Sequence, residues 1–220
     1  MDCRFELDRS LVCAKNSETM EIVSMRVYYD FASTLCYVAN CVLSNIEEEI
    51  AELGVELEWR PIDLTMAAPW DRGDSFREEI RNSVRETGRS LGVFAEMPDP
   101  WLDSRPASVV ALHTPSPSAE ARWRKEVFGS IFEHKTPQLT PTLLQLAKEL
   151  VGVDPLADEE HGFESVEDST REAFALGVTG VPTILLDNWL FGGVYDGESM
   201  LSVLRQLSEE YRESGTSAVN

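Results

Sequence analysis

The chain has 220 residues and a formal net charge of −20, which argues against nucleic acid or an anionic membrane surface as a partner. Hydrophobic residues make up 43%, enough for a real core and too many for a disordered chain. No apolar run approaches the ~20 residues of a membrane span, and the charged opening Met1–Asp8 does not read as a signal peptide, so a cytoplasmic location is expected.

Residues 1–23 mix charges without a period and are expected to form a flexible leader. Met25–Ala32 is β-branched and aromatic and reads as a strand. Ser33 or Thr34 can cap the helix that follows, because a side-chain oxygen there accepts an orphan backbone N–H. Along it Ala39, Val42, Leu43, Ile46, Ile50 and Leu53 recur at helical spacing, and Gly54 ends it. Val55–Asp63 alternates as a second strand, and the short joins imply a parallel crossover.

From Met66 the pattern turns helical and proline-punctuated. Helices are expected at Ser75–Leu91, Ser104–His113, Ser118–Glu133, Thr140–Val151 and Ser165–Leu176, with Ser118, Thr140 and Ser165 as caps. The acidic run Asp154–Asp168 reads as a solvated loop, and Trp70, Trp101, Trp123 and Phe94 as packing for these helices. After Gly177 the chain returns to β, with strands at Thr183–Asp187 and Trp189–Phe191 joined at Asp187–Asn188. Met200, Leu201, Leu204, Leu207 and Tyr211 mark an amphipathic last helix, with a frayed tail at Glu213–Asn220.

The cysteines are Cys3, Cys13, Cys36 and Cys41; no pair has Cys-x-x-Cys spacing, and no Cys/His set has zinc spacing. Cys36 and Cys41 lie about 140° apart around one helix and should not bridge each other. His113, His134 and His161 are scattered and carry no assigned chemistry. No metal is expected.

Four stretches carry a resemblance: Tyr29-Asp30-Phe31 leading to Cys36-Tyr37, Ser104-Arg105-Pro106-Ala107, Gly177 to Thr183 with its Val181-Pro182, and Gly193 to Met200. In this order they resemble the DsbA family of thioredoxin-like proteins, over residues 24–212. The FrnE-like branch, the 2-hydroxychromene-2-carboxylate isomerases and the kappa-class glutathione transferases are the most similar members. The resemblance implies an α/β, thioredoxin-like fold with a large inserted all-helical subdomain. Residues 24–66 and 177–212 would form the thioredoxin-like domain, residues 67–176 the insertion, and 213–220 the tail.

Redox-active members carry Cys-x-x-Cys where this chain reads Ser33-Thr34-Leu35-Cys36. Serine cannot supply the attacking thiolate that a disulfide cycle requires. The transferases and isomerases are similar in placing serine there, to hold a glutathione thiolate at a helix N-terminus. This chain lacks their usual Pro-aromatic pair after it. The resemblance therefore implies Ser33 and Cys36 as catalytic candidates, with glutathione or another low-molecular-weight thiol as substrate or cofactor. Val181 and Pro182, expected in a cis bond, would pair with an extended thiol peptide. Arg105 would grip a substrate carboxylate, and Asp196 would lie in the region that binds the γ-glutamyl group. Two alternatives stay open: a thiol–disulfide oxidoreductase working through Cys36 alone, and a non-catalytic thioredoxin-like binding module. Arg105 equally reads as a surface residue, and Asp196 with Glu198 as first-turn carboxylates. A homodimer is compatible with the resemblance.

Overall fold

The computed structural model describes residues 21–136, 140–152 and 159–217. The expected leader thus lies mostly outside the described residues, as do Cys3 and Cys13. Strand β1 (Val23–Tyr29) starts two residues before the expected Met25. It feeds α1 (Thr34–Asn45), then α2 (Glu47–Glu52) and β2 (Val55–Pro61). A short 3₁₀ turn at Leu64–Met66 leads into the insertion, which opens with α3 (Glu78–Ser90), α4 (Arg105–His113) and α5 (Pro117–Phe128). A π-helical turn, Gly129–Glu133, continues α5, and α6 (Pro141–Val151) and α7 (Glu159–Ala175) follow. The chain closes with β3 (Thr183–Leu186), β4 (Trp189–Gly192) and α8 (Gly197–Ser217).

The sheet order is β2-β1-β3-β4. β1 pairs parallel with β2, whereas β3 is antiparallel to both β1 and β4. Period-two alternation sends β1 to both faces. Val23, Met25 and Val27 join Leu43, Ile50, Met200 and Leu204 on the α1–α8 side. Tyr28 joins Ile62, Ala173 and Leu185 on the α7 side. A third cluster links Tyr29, Phe31, Cys36 and Tyr37 to Trp123, Phe128 and Phe132 of the insertion. The insertion therefore shares a core with the first turn of α1.

Several boundaries differ from the sequence reading, each for a local reason. The expected single helix after Ser33 breaks at Ile46, which packs under the start of α8, where a Cβ on Gly197 would lie 3.0 Å from its side chain. Ser116, not Ser118, caps α5, accepting the Ala119 N–H at 3.2 Å with Pro117 at the first helical position. α7 starts at Glu159, so Ser165 is interior and returns its hydroxyl to the Gly162 carbonyl at 2.6 Å. Much of the acidic run expected as a loop is therefore helix; residues 153–158 lie outside the described residues. The end of α8 is tied down by Arg212, which donates to the Leu53 carbonyl at 2.9 Å, and the helix runs to Ser217 rather than fraying at Glu213. Phe94 does not pack; it is 79% exposed.

One close approach sets the seat of α1. A Cβ on Gly88 of α3 would meet the Val93 carbonyl oxygen at 2.9 Å and a Val38 methyl at 3.3 Å. Gly88→Ala should therefore cost about 1–3 kcal/mol by overpacking, read by urea unfolding. An unchanged midpoint would mean the α3–α1 contact yields freely.

Candidate functional site

The site forms where β1 runs into α1. Asp30 and Phe31 leave the strand, and Ser33 is the N-cap of α1. The Ser33 side chain accepts the Cys36 N–H at 3.3 Å, so its own hydroxyl proton is not used by that bond. Ser33 is 6% exposed, and the neighbouring Thr34 hydroxyl is buried without a hydrogen-bond partner among the described residues. Cys36 is fully buried, and burial pushes its thiol up to about 12. At neutral pH it is a neutral thiol, not a nucleophile. Cys36 and Cys41 are both free, as their angular separation requires.

Asp30 links this turn to the insertion. Its carbonyl accepts the Ser33 N–H at 3.0 Å. Its carboxylate accepts the Ala32 N–H at 2.8 Å, the Leu64 N–H at 2.9 Å and the Ser104 hydroxyl at 2.6 Å. Burial nonetheless raises its pKa to about 6, because the charged form loses its water. The sequence carried a signal for it: an acid inside the run Val27-Tyr28-Tyr29-Asp30-Phe31-Ala32. A charge embedded in apolar sequence must find partners when buried.

Ser104 sits at the N-cap of α4, but its hydroxyl is spent on Asp30 and makes no cap bond. Arg105 starts α4 with its guanidinium on Asp103, at 2.9 and 2.5 Å, and over the Phe163 ring at 4.3 Å. A two-pronged grip on a substrate carboxylate would have to displace Asp103. Asp196 accepts the Ser199 N–H at 2.8 Å and its hydroxyl at 3.0 Å, so it caps the start of α8. Those bonds, with the backbone one first, hold its carboxyl low.

The Val181–Pro182 peptide is cis. Val181 packs against the cluster that contains Cys36 and Tyr37. Neither its N–H nor its C=O has a hydrogen-bond partner among the described residues. Ser33 and Cys36 thus share the turn at the start of α1, Val181 packs against the cluster to which Cys36 belongs, and Arg105 and Asp196 are engaged in local pairs.

The insertion contains a cleft of about 930 Å³. Its walls come from residues 97–103, the start of α4, the α5 end with its π turn, and the start of α6. Ser104 is part of the wall, and its bond to Asp30 links the cleft to the Ser33 turn. The π turn also holds α1: Phe132 stacks on Tyr37 at 4.8 Å, and Glu133 accepts the Tyr37 hydroxyl at 3.1 Å. Neither the cleft nor the π turn was visible in the sequence reading. Among the described residues no group of His, Cys, Asp and Glu has the arrangement of a metal site. No described helix is long and apolar enough to cross a membrane.

A parallel βαβ unit, a helical insertion and a returning ββα unit define a thioredoxin-like protein. The chain belongs to the DSBA-like thioredoxin domain family, whose model matches residues 24–206. Among solved structures it is similar to a 2-hydroxychromene-2-carboxylate isomerase, at 20% identity and a TM-score of 0.65, covering 88% of this chain and 98% of that one. It is also similar to a probable DsbA oxidoreductase from Streptomyces coelicolor, at 19% identity and a TM-score of 0.65, covering 85% and 90%. The cytosolic disulfide reductase DsbM from Pseudomonas aeruginosa, solved with GSH, matches at 18% identity and a TM-score of 0.55, covering 87% and 98%. At these identities the likeness concerns the fold. No curated protein matches the sequence.

Proposed function

We propose that the protein binds a low-molecular-weight thiol of the glutathione type and works as a transferase or isomerase, with Ser33 steadying the bound thiolate. The observation that carries this reading is the division of labour in the turn. Ser33 accepts the Cys36 N–H and keeps a hydroxyl proton to offer, while the buried Cys36 thiol stays neutral. A disulfide cycle has no attacking thiolate here, whereas a thiolate supplied by a ligand would meet one hydroxyl donor and the positive end of α1. The N–H and C=O of Val181, without a hydrogen-bond partner among the described residues, suit an extended thiol peptide, which would add like a strand. Its second substrate would occupy the cleft that Ser104 links to the turn, whose size is that of a ligand pocket.

One hydrogen bond to a charged group contributes about 1.5–3 kcal/mol, which is about 1–2 pK units on the thiol. Titration of bound glutathione, followed by thiolate absorbance, should show its pKa depressed in the wild type. In Ser33→Ala that depression should shrink by about 1–2 units. Absence of saturable binding at millimolar glutathione would sink the reading, and so would an unchanged thiol pKa in the variant.

A further inference from the structure

A hydroxyl buried in a helix or turn of this chain can return its proton to a backbone carbonyl three or four residues back. Thr170, Thr183 and Ser208 do so, to Val166, Gly180 and Arg205, at 2.7, 2.7 and 2.8 Å. Thr34 makes no such bond, because it opens its helix. The residues three and four before it, Phe31 and Asp30, precede α1, and the Asp30 carbonyl accepts the Ser33 N–H at 3.0 Å. The Thr34 hydroxyl is left buried, its residue 3% exposed, without a hydrogen-bond partner among the described residues. A buried donor left unmade destabilises the free protein, and a site that binds something is one reason to keep it.

The same end of α1 has other donors to spare. The N–H groups of Thr34 and Leu35 have no hydrogen-bond partner among the described residues, while that of Cys36 goes to Ser33. No carboxylate stands in the first turn of α1, so nothing within the helix offsets its positive end. In a helix every Cα–Cβ bond tilts toward the N-terminus, which aims the Thr34 side chain at the end where these N–H groups and the Ser33 hydroxyl lie.

We infer that Thr34 is a second thiolate-binding residue: its hydroxyl and that of Ser33 together hold the sulfur of the thiol ligand at the N-terminus of α1. This rests on the thiol reading above and adds a donor to it. Neither hydroxyl gives up its proton; both share it as a hydrogen bond, and the proton lost by the thiol passes to solvent. Ser33 and Thr34 are almost wholly shielded from water, where a hydrogen bond to an anion is stronger than in solution. A thioether has no charge for the two hydroxyls to hold. The site therefore favours a free thiol over its S-alkylated form, and Thr34 widens that margin.

Thr34→Val removes the hydroxyl and keeps the shape. Titration of bound glutathione on the full chain, followed by thiolate absorbance, should place its thiol pKa about 1–2 units higher in this variant than in the wild type. By calorimetry at neutral pH, the preference for glutathione over S-methylglutathione should fall about 10-fold or more. Thr34→Ser keeps the donor and should keep both properties. Asp30 and Cys36, the titratable groups of the turn, are present in every protein compared, so the differences read Thr34. Without ligand, Thr34→Val should melt about 2–4 °C higher, because the unpaired hydroxyl is gone. Thr34→Ala, equally without the hydroxyl, carries the same thiol expectation if valine crowds the turn. Glutathione bound with the same thiol pKa in the wild type and in the variants without the hydroxyl overturns the inference and leaves the thiol reading standing. A lower melting temperature for ligand-free Thr34→Val also overturns it, since the hydroxyl would then have a partner inside the protein. Absence of glutathione binding to the wild type removes both.

Discussion

Arg124→Met should destabilise the protein by about 3–5 kcal/mol, the cost of leaving a buried charge without its partner. Arg124 of α5 is buried, with Nε on Glu120 at 3.0 and 3.2 Å. It also donates to the Asn40 side chain of α1 and lies over the Trp59 ring of β2 at 3.8 Å. Glu120 in turn accepts the Tyr29 hydroxyl of β1 at 3.0 Å. The Arg124–Glu120 pair thus fastens the insertion to three elements of the thioredoxin-like unit. Burial already lifts the Glu120 carboxyl, against the pull of Arg124 and Tyr29. Without Arg124 it rises further above its unfolded value, so the damage should be greatest at high pH and shrink as the acid takes up a proton. Adding Glu120→Gln removes the charge but keeps an acceptor for Tyr29, and should recover about 1–3 kcal/mol. Urea unfolding of both variants at two pH values reads this. A single variant within 1 kcal/mol of wild type would mean that water reaches Glu120.

The same network explains what the sequence could and could not reveal. Strand, helix and strand over residues 23–61 were legible because apolar spacing is local, and Thr140–Pro141 was legible because cap and proline are adjacent. The identical logic at Ser116–Pro117 was passed over for Ser118, two residues on, which has no cap bond to the helix backbone but a hydroxyl contact with Ser116 at 3.1 Å. Of the site, Ser33 stood out by its place in the turn and Val181 by its proline. The Asp30–Ser104 bond spans 74 residues and Tyr29–Glu120 spans 91, so no spacing rule could join them. Such pairs follow from the way the insertion folds back, which is a tertiary fact. The π turn at Gly129–Glu133 was hidden for a different reason: no local propensity distinguishes one extra residue at the end of an ordinary helix.

Relative to Asp30→Asn, the wild type should lose about 3 kcal/mol of stability as pH rises from about 4 to above 6, from a pKa near 6 against a usual 3.8. The folded chain keeps the Asp30 proton where the unfolded chain has released it, so the contribution is full at low pH and is lost as pH climbs through the folded value. Two effects compete at this carboxyl. Three donors favour the anion, by about 1.5–3 kcal/mol each, and full burial with Asp63 nearby favours the acid. The upward shift says that burial wins, and by a modest margin. Other carboxylates in this acidic chain also titrate, so the quantity to read is the difference between wild type and variant by urea unfolding at each pH. Asn places an amide donor among donors, but that penalty does not vary with pH and cancels in the slope. Parallel profiles would mean that the pKa is not raised, and an opposite slope would mean that the hydrogen bonds outweigh the burial. The slope also bears on Ser104. Above about pH 6 its hydroxyl donates to the Asp30 anion, and below it Asp30 carries a proton of its own.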